Sequence, residues 1–155
     1  MKMISRRKVL NYFTALAVTA PVMALAETAV PVMKVYKSAT CGCCTKWVKH
    51  MRAAGFKVEA ENVPDVNHYK NIYGVPVEMG SCHTAIVDGY VIEGHVPADD
   101  VIRLLRERPE IDGIAVPGMP IGSPGMEGPN AEAYDVTSFK DRKAGAIFAT
   151  HMPNE

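Results

Sequence analysis

Three cysteines fall within four consecutive positions, Cys41, Cys43 and Cys44, in the run Ala39-Thr40-Cys41-Gly42-Cys43-Cys44-Thr45-Lys46-Trp47. A fourth, Cys82, stands alone in Gly80-Ser81-Cys82-His83-Thr84. Thiols at this density serve redox exchange or soft-metal binding, because the thiolate is both a strong nucleophile and a strong soft ligand. Cys41 and Cys44 form a C-x-x-C pair that can cycle between dithiol and disulfide, with Cys41 as exposed nucleophile and Cys44 resolving. Cys43 sits badly with that reading, since a competing thiol beside the resolving one invites scrambling. Three thiolates on one turn suit a cation that tolerates low coordination and bridging sulfur, and Cu(I) matches best. Zinc prefers four tetrahedral ligands, usually as two spaced cysteine pairs, and here the fourth cysteine is single. A structural disulfide from Cys82 to the cluster is the plainer alternative, because exported chains often pair their cysteines.

Two methionines and two histidines extend the candidate set. Met119 and Met126 lie on a Gly/Pro-rich stretch with no helical core face to explain them, and a thioether is a soft ligand. The plainer reading makes them a hydrophobic plug. His83 adjoins Cys82, and His95 follows in Glu93-Gly94-His95-Val96-Pro97. Either could ligate copper or carry a proton. His50, His68 and His151 have weaker cases.

Positioning these groups requires a strand before the cluster and a helix after it. Residues 32–37 alternate as a strand. Residues 44–54 place Trp47, Val48 and Met51 at helical spacing and stop at Gly55. A helix start there offers free backbone N–H groups, which favour thiolate. A second strand over 56–63 and a short helix over 65–73, capped by Asp65, follow. Asp88-Gly89 between apolar runs predicts a hairpin of 84–87 with 90–93. Residues 98–108 read as an amphipathic helix stopped before Pro109. The order β-α-β-α-β-β-α, with a cysteine pair where the first strand meets the first helix, predicts an α/β, thioredoxin-like domain: a central mixed sheet with flanking helices. Residues 111–130 are too rich in glycine and proline, from Val116 to Pro129 above all, for a helix or a central strand. This C-terminal Gly/Pro/Met-rich loop is followed by a short strand pair over 134–139 and 146–150.

Residues 1–26 read as an export signal. Lys2, Arg6, Arg7 and Lys8 precede an apolar stretch, and Ala24-Leu25-Ala26 matches a small-x-small cleavage site. The apolar stretch is too short and interrupted for a stable membrane span. Ser5-Arg6-Arg7-Lys8-Val9-Leu10 also fits a twin-arginine signal. Residues 27–155 then form a single domain. The leader takes 4 of the 17 basic residues and none of the 17 acidic ones, so the remainder carries 13 against 17, a net charge of −4. With no basic run, there is no electrostatic case for nucleic acid. An exported, cysteine-bearing chain points to an oxidising compartment.

The chain resembles the CopG-type copper-resistance proteins, small exported metal-binding proteins of Gram-negative bacteria with a thioredoxin-like fold. The resemblance rests on Cys41-Gly42-Cys43-Cys44 with Trp47, on Ser81-Cys82-His83-Thr84-Ala85, on Gly89 to Pro97, on Ala115-Val116-Pro117-Gly118-Met119-Pro120, and on Gly122-Ser123-Pro124-Gly125-Met126-Glu127. It implies a periplasmic protein holding copper through its cysteines with help from methionine. From the residues themselves, Cys41, Cys43, Cys44 and Cys82 are the expected ligands, with thiolates bridging more than one Cu(I). The expected partners are copper ions and periplasmic copper or electron-transfer proteins. A thiol–disulfide oxidoreductase and a passive copper store or carrier are the competing functions.

Overall fold

A short extended run, an abrupt turn and a helix that starts on a cysteine set the frame of the molecule. The computed structural model describes residues 31–153; the export signal expected over residues 1–26 lies outside the described residues. Strand β1 (Val32–Lys37) leads into α1 (Gly42–Ala53), β2 (Lys57–Asn62), α2 (Val66–Ile72), a 3-10 turn (Val77–Met79), β3 (His83–Val87) and β4 (Tyr90–Glu93). Helix α3 (Ala98–Glu107) and strands β5 (Gly113–Ala115), β6 (Tyr134–Lys140) and β7 (Lys143–His151) complete the order. The fold is mixed α/β, with seven strands in one sheet ordered β2-β1-β3-β4-β5-β6-β7. Strand β1 runs parallel to β2 and antiparallel to β3, and β4 runs parallel to β5.

Local chemistry explains the joints. Asp65 caps α2 by accepting the Asn67 N–H at 2.9 Å. Asp88 and Gly89 both have positive φ, 47° and 87°, as a two-residue turn of the primed type between β3 and β4 requires. Asp141 and Arg142 do the same between β6 and β7, at 51° and 61°.

Strand alternation divides the interior into two cores. Ala85, Val87, Tyr90, Ile92, Ile114 and Val136 face α1 and α3, where Trp47, Met51, Val101 and Leu104 meet them. Val91, Ala115 and Phe139 point the other way and meet Val75 and Met79 beside α2.

One expectation fails here. Residues 113–115, assigned to the stretch that excludes a central strand, form β5 in the interior of the sheet. The Gly/Pro density that argued against a strand begins only at Val116. Gly113 is not a breaker in this setting, because a Cβ there would lie 2.1 Å from the Val91 carbonyl oxygen and 2.6 Å from the Phe139 ring. The strand needs glycine to pass that closely.

Candidate metal centre

Cys41 is the N-cap of α1: its Sγ accepts the Cys44 N–H at 3.2 Å, and Thr45 N–H bonds its carbonyl. The helix start therefore presents Cys41, Cys43 and Cys44 on its first turn. Cys82 sits on the residue before β3, which pairs directly with β1, so its loop faces the same helix end. The Cys43 sulfur lies 3.5 Å from that of Cys41 and 3.8 Å from that of Cys82. The Cys44 sulfur lies 3.6 Å from the Cys82 carbonyl oxygen. All four sulfurs fall within 4.8 Å of one another. Two stretches of chain some forty residues apart thus meet in one pocket.

The described state is a disulfide form. Cys41 and Cys44 are bonded, while Cys43 and Cys82 are free thiols. The alternative of a disulfide from Cys82 to the cluster is therefore not what forms. Burial, with the neighbouring Cys43 next in effect, pushes the Cys82 thiol up to about 12. Without a cation, Cys82 stays protonated at neutral pH, and binding a soft metal there must displace its proton.

Two imidazoles stand behind Cys82. Its sulfur lies 2.9 Å from Nε2 of His95 and 3.4 Å from Nδ1 of His83. The His95 Nδ1 lies 2.8 Å from the carbonyl oxygen of Pro124. A carbonyl only accepts, so Nδ1 carries the proton and Nε2 faces the sulfur as a free lone pair. His83 is fully buried against Trp47, with ring centroids 4.3 Å apart, and its Nε2 has no hydrogen-bond partner. Burial lowers the pKa of both histidines, well below the ordinary value for His83, where nearby His95, Lys70 and Lys37 add to the effect. Both rings are therefore neutral at physiological pH, the form that ligates metal.

The methionines part company. Met126 lines a groove of about 530 Å³ together with Gly42, Cys43 and Lys46, so it borders the sulfur pocket. Met119 is half exposed and lines a different groove, with Pro117, Pro120 and Tyr134.

Several supporting groups have roles that their sequence context did not reveal. The Trp47 indole N–H donates to the Val96 carbonyl at 2.8 Å and ties α1 to the segment carrying His95. Glu93, fully buried, accepts from Lys70 Nζ at 2.5 Å, from the Ser81 N–H at 2.6 Å and from the Thr84 hydroxyl at 2.7 Å. It thus grips the Ser81–Thr84 stretch on both sides of Cys82 and His83. Gly125 is the other device. Its φ is +88°, and a Cβ there would lie 2.7 Å from the Cys43 carbonyl and 2.9 Å from the Trp47 amide nitrogen. Gly125→Ala is expected to lower stability by about 1–3 kcal/mol and to lift this loop off α1. Thermal unfolding, with hydrogen exchange at Met126, measures both.

A family described as a protein of unknown function, DUF411, matches residues 79–126, the stretch holding Cys82, His83, His95, Met119 and Met126. A solved structure called "Copper resistance protein copG- Form 2" is 45% identical, covers 79% of this chain and 99% of its own, and superposes with a TM-score of 0.74. The chain belongs to the CopG family of copper resistance proteins. A second CopG structure, "Form 1", is 46% identical over 78% of this chain and 97% of its own, with a TM-score of 0.72. No curated protein sequence matches the chain. The four-sulfur pocket described above suits a copper resistance protein of the CopG family, because thiolates are soft donors that copper accepts. No helix among the described residues is long and apolar enough to cross a membrane.

Proposed function

We propose that this CopG-family chain is a periplasmic protein that holds more than one Cu(I) in the pocket of Cys41, Cys43, Cys44 and Cys82 and couples that binding to the valence of copper. The observation that carries the reading is the convergence of four sulfurs within 4.8 Å. Four sulfurs cannot separately satisfy several cations, so the thiolates bridge between them. Met126 at the rim of the pocket is the thioether placed to help; Met119 serves only if its loop rearranges.

The Cys41–Cys44 bond supplies the redox half. When these two thiols close their disulfide, two electrons and two protons leave. The electrons balance the reduction of two Cu(II) ions to Cu(I), and the protons go to solvent. Closing the bond also removes two thiolates from the pocket and so releases metal; reduction by a periplasmic donor restores it. Copper-handling and electron-transfer proteins of the periplasm are the partners this chemistry requires. A thioredoxin-like reading of the first four strands and their helices agrees with it. Parallel β1 and β2, antiparallel β3 and β4, and a C-x-x-C pair at the start of α1 support that reading.

The test is metal analysis of periplasmically produced, reduced protein with X-ray absorption at the copper edge. More than one Cu(I) per chain with sulfur neighbours is expected, and Cys43→Ser lowers the stoichiometry by half or more. A second reading, thiol–disulfide oxidoreductase, draws support from the half-exposed Cys41 in the disulfide. It wins if insulin-type disulfide reduction survives Cys43→Ser and Cys82→Ser while copper binding is absent. A passive store would bind copper with no change of valence under any electron donor.

A further inference from the structure

We infer that β7 is the seam of a homodimer, pairing antiparallel with the β7 of a second copy of this chain across a two-fold axis. This contact lies outside the sulfur pocket and does not rest on the copper reading. Strand β7 (Lys143–His151) ends the seven-strand order, and no element among the described residues lies beyond it. About half of its backbone N–H and C=O groups therefore turn away from β6, without a strand to receive them.

The two ends of the sheet are built differently. Strand β2, at the opposite end, has six residues and carries Lys57, Glu59 and Glu61 along its length. Charges on an edge discourage a further strand. Between Ala144 and Thr150, β7 has no charge and no proline; it offers three alanines, a glycine and Ile147, which is 60% exposed. A long edge of that composition is a template for another strand, which folded proteins ordinarily blunt or cover.

Charge and twist select the occupant. Exposed Lys140, Arg142 and Lys143, against one acid, Asp141, stand at the hairpin end of β7. Exposed Glu132 and Asp135 stand toward the other end, where Asp135 lies opposite Thr150. Antiparallel pairing of two copies sets the basic end of each against the acidic end of the other, twice over; parallel pairing sets like against like. Strand β7 also has nine residues against seven in β6, and the register shifts between Val136 and Phe139 take up the excess as bulges. Bulges deepen a strand's twist. A regular foreign strand fits such an edge poorly, whereas a second β7 has the same twist by identity. A two-fold contact uses the same strand from both chains and so closes at two. Strand β1, which leads into the cysteines, is sixth from this seam. At about 4.8 Å per strand the pocket lies roughly 25 Å from it, so both pockets stay open.

The test is sedimentation equilibrium of the mature chain, residues 27–155, across the micromolar to millimolar range. Twice the chain mass is expected at the upper end, with association weakening as salt is added. Ile147 is the middle residue of β7, so Ile147→Lys brings two like charges together at the axis and should raise the dissociation constant by more than about 10-fold. Lys143→Glu and Asp135→Lys should each weaken the dimer, and the double variant should restore it. Because Asp135 also accepts from the Thr150 hydroxyl, at 2.6 Å, its replacement could loosen the hairpin. Hydrogen exchange on the unaltered protein is therefore measured as well, and amides of residues 144–150 should exchange more slowly at high concentration than at low. A monomer throughout the range, a dimer indifferent to Ile147→Lys, a double variant no better than either single one, or exchange along β7 independent of concentration would each overturn the seam.

Discussion

Cys82→Ser should strip the protein of most of its bound copper. Its sulfur lies 3.8 Å from that of Cys43 and 2.9 Å from Nε2 of His95, so it is the one thiol that faces the helix cluster from the β3 side. In the reduced variant, the remaining Cys41, Cys43 and Cys44 all sit on one helical turn, with no sulfur facing them from β3. Bridged loading should fall to at most one weakly held Cu(I) per chain. A serine hydroxyl is a hard donor and a poor replacement for a thiolate toward Cu(I). The fold should survive, because the thiol is only partly buried and its replacement is close to isosteric. Copper-to-protein ratios by elemental analysis, beside a thermal melt, check the prediction. Retention of full copper loading would show that the cluster on α1 acts without its partner across the sheet.

Lys70→Met should be the most destabilising single change near the site. Lys70 and Glu93 are 11% and 0% exposed, and the Glu93 carboxylate is also held by Ser81 and Thr84. Removing the ammonium leaves a buried carboxylate uncompensated, which costs about 3–5 kcal/mol. The sign of the pH dependence follows from Glu93. Burial raises its pKa above the ordinary 4.5, opposed by Lys70 and by the hydrogen bonds it accepts. A carboxyl with a raised folded pKa binds its proton more tightly in the native state. Its penalty is therefore absent below about pH 4.5 and is fully present above the folded value. The deficit of Lys70→Met should accordingly shrink as pH falls through that window. It should also shrink in the double variant Lys70→Met/Glu93→Leu, where no buried charge is left. Chemical denaturation from pH 4 to 8 reads both. Because Glu93 anchors Ser81, the single variant should also loosen Cys82, seen as faster alkylation of that thiol.

Part of this was legible in the chain and part was not. The cysteine spacing and the Asp88-Gly89 turn are local signals, and each element they predict falls within a residue or two of its place. The meeting of Cys82 with Cys43 was readable only through topology: β3 must pair with β1 for the two to face each other. Strand β5 was hidden because a glycine normally argues against a strand, and only the close passage of Val91 and Phe139 reverses that rule. The Glu93–Lys70 pair left no trace, since a charged residue at the end of an apolar strand ordinarily marks solvent. The role of Pro124 was equally silent: its backbone oxygen, not its side chain, fixes His95, and a carbonyl is common to every residue.

The three-residue strand β5 has an effect larger than its length. The chain leaves it at Ala115, crosses the cysteine pocket, and returns to the sheet at Tyr134 in β6. Pro124 and Gly125 lie on that crossing. The stretch is thus a strap buckled at both ends into adjacent strands, with its middle pressed against the pocket. Because Pro124 on this strap fixes the tautomer of His95, the anchoring of β5 and β6 in the sheet sets where that imidazole's free nitrogen points.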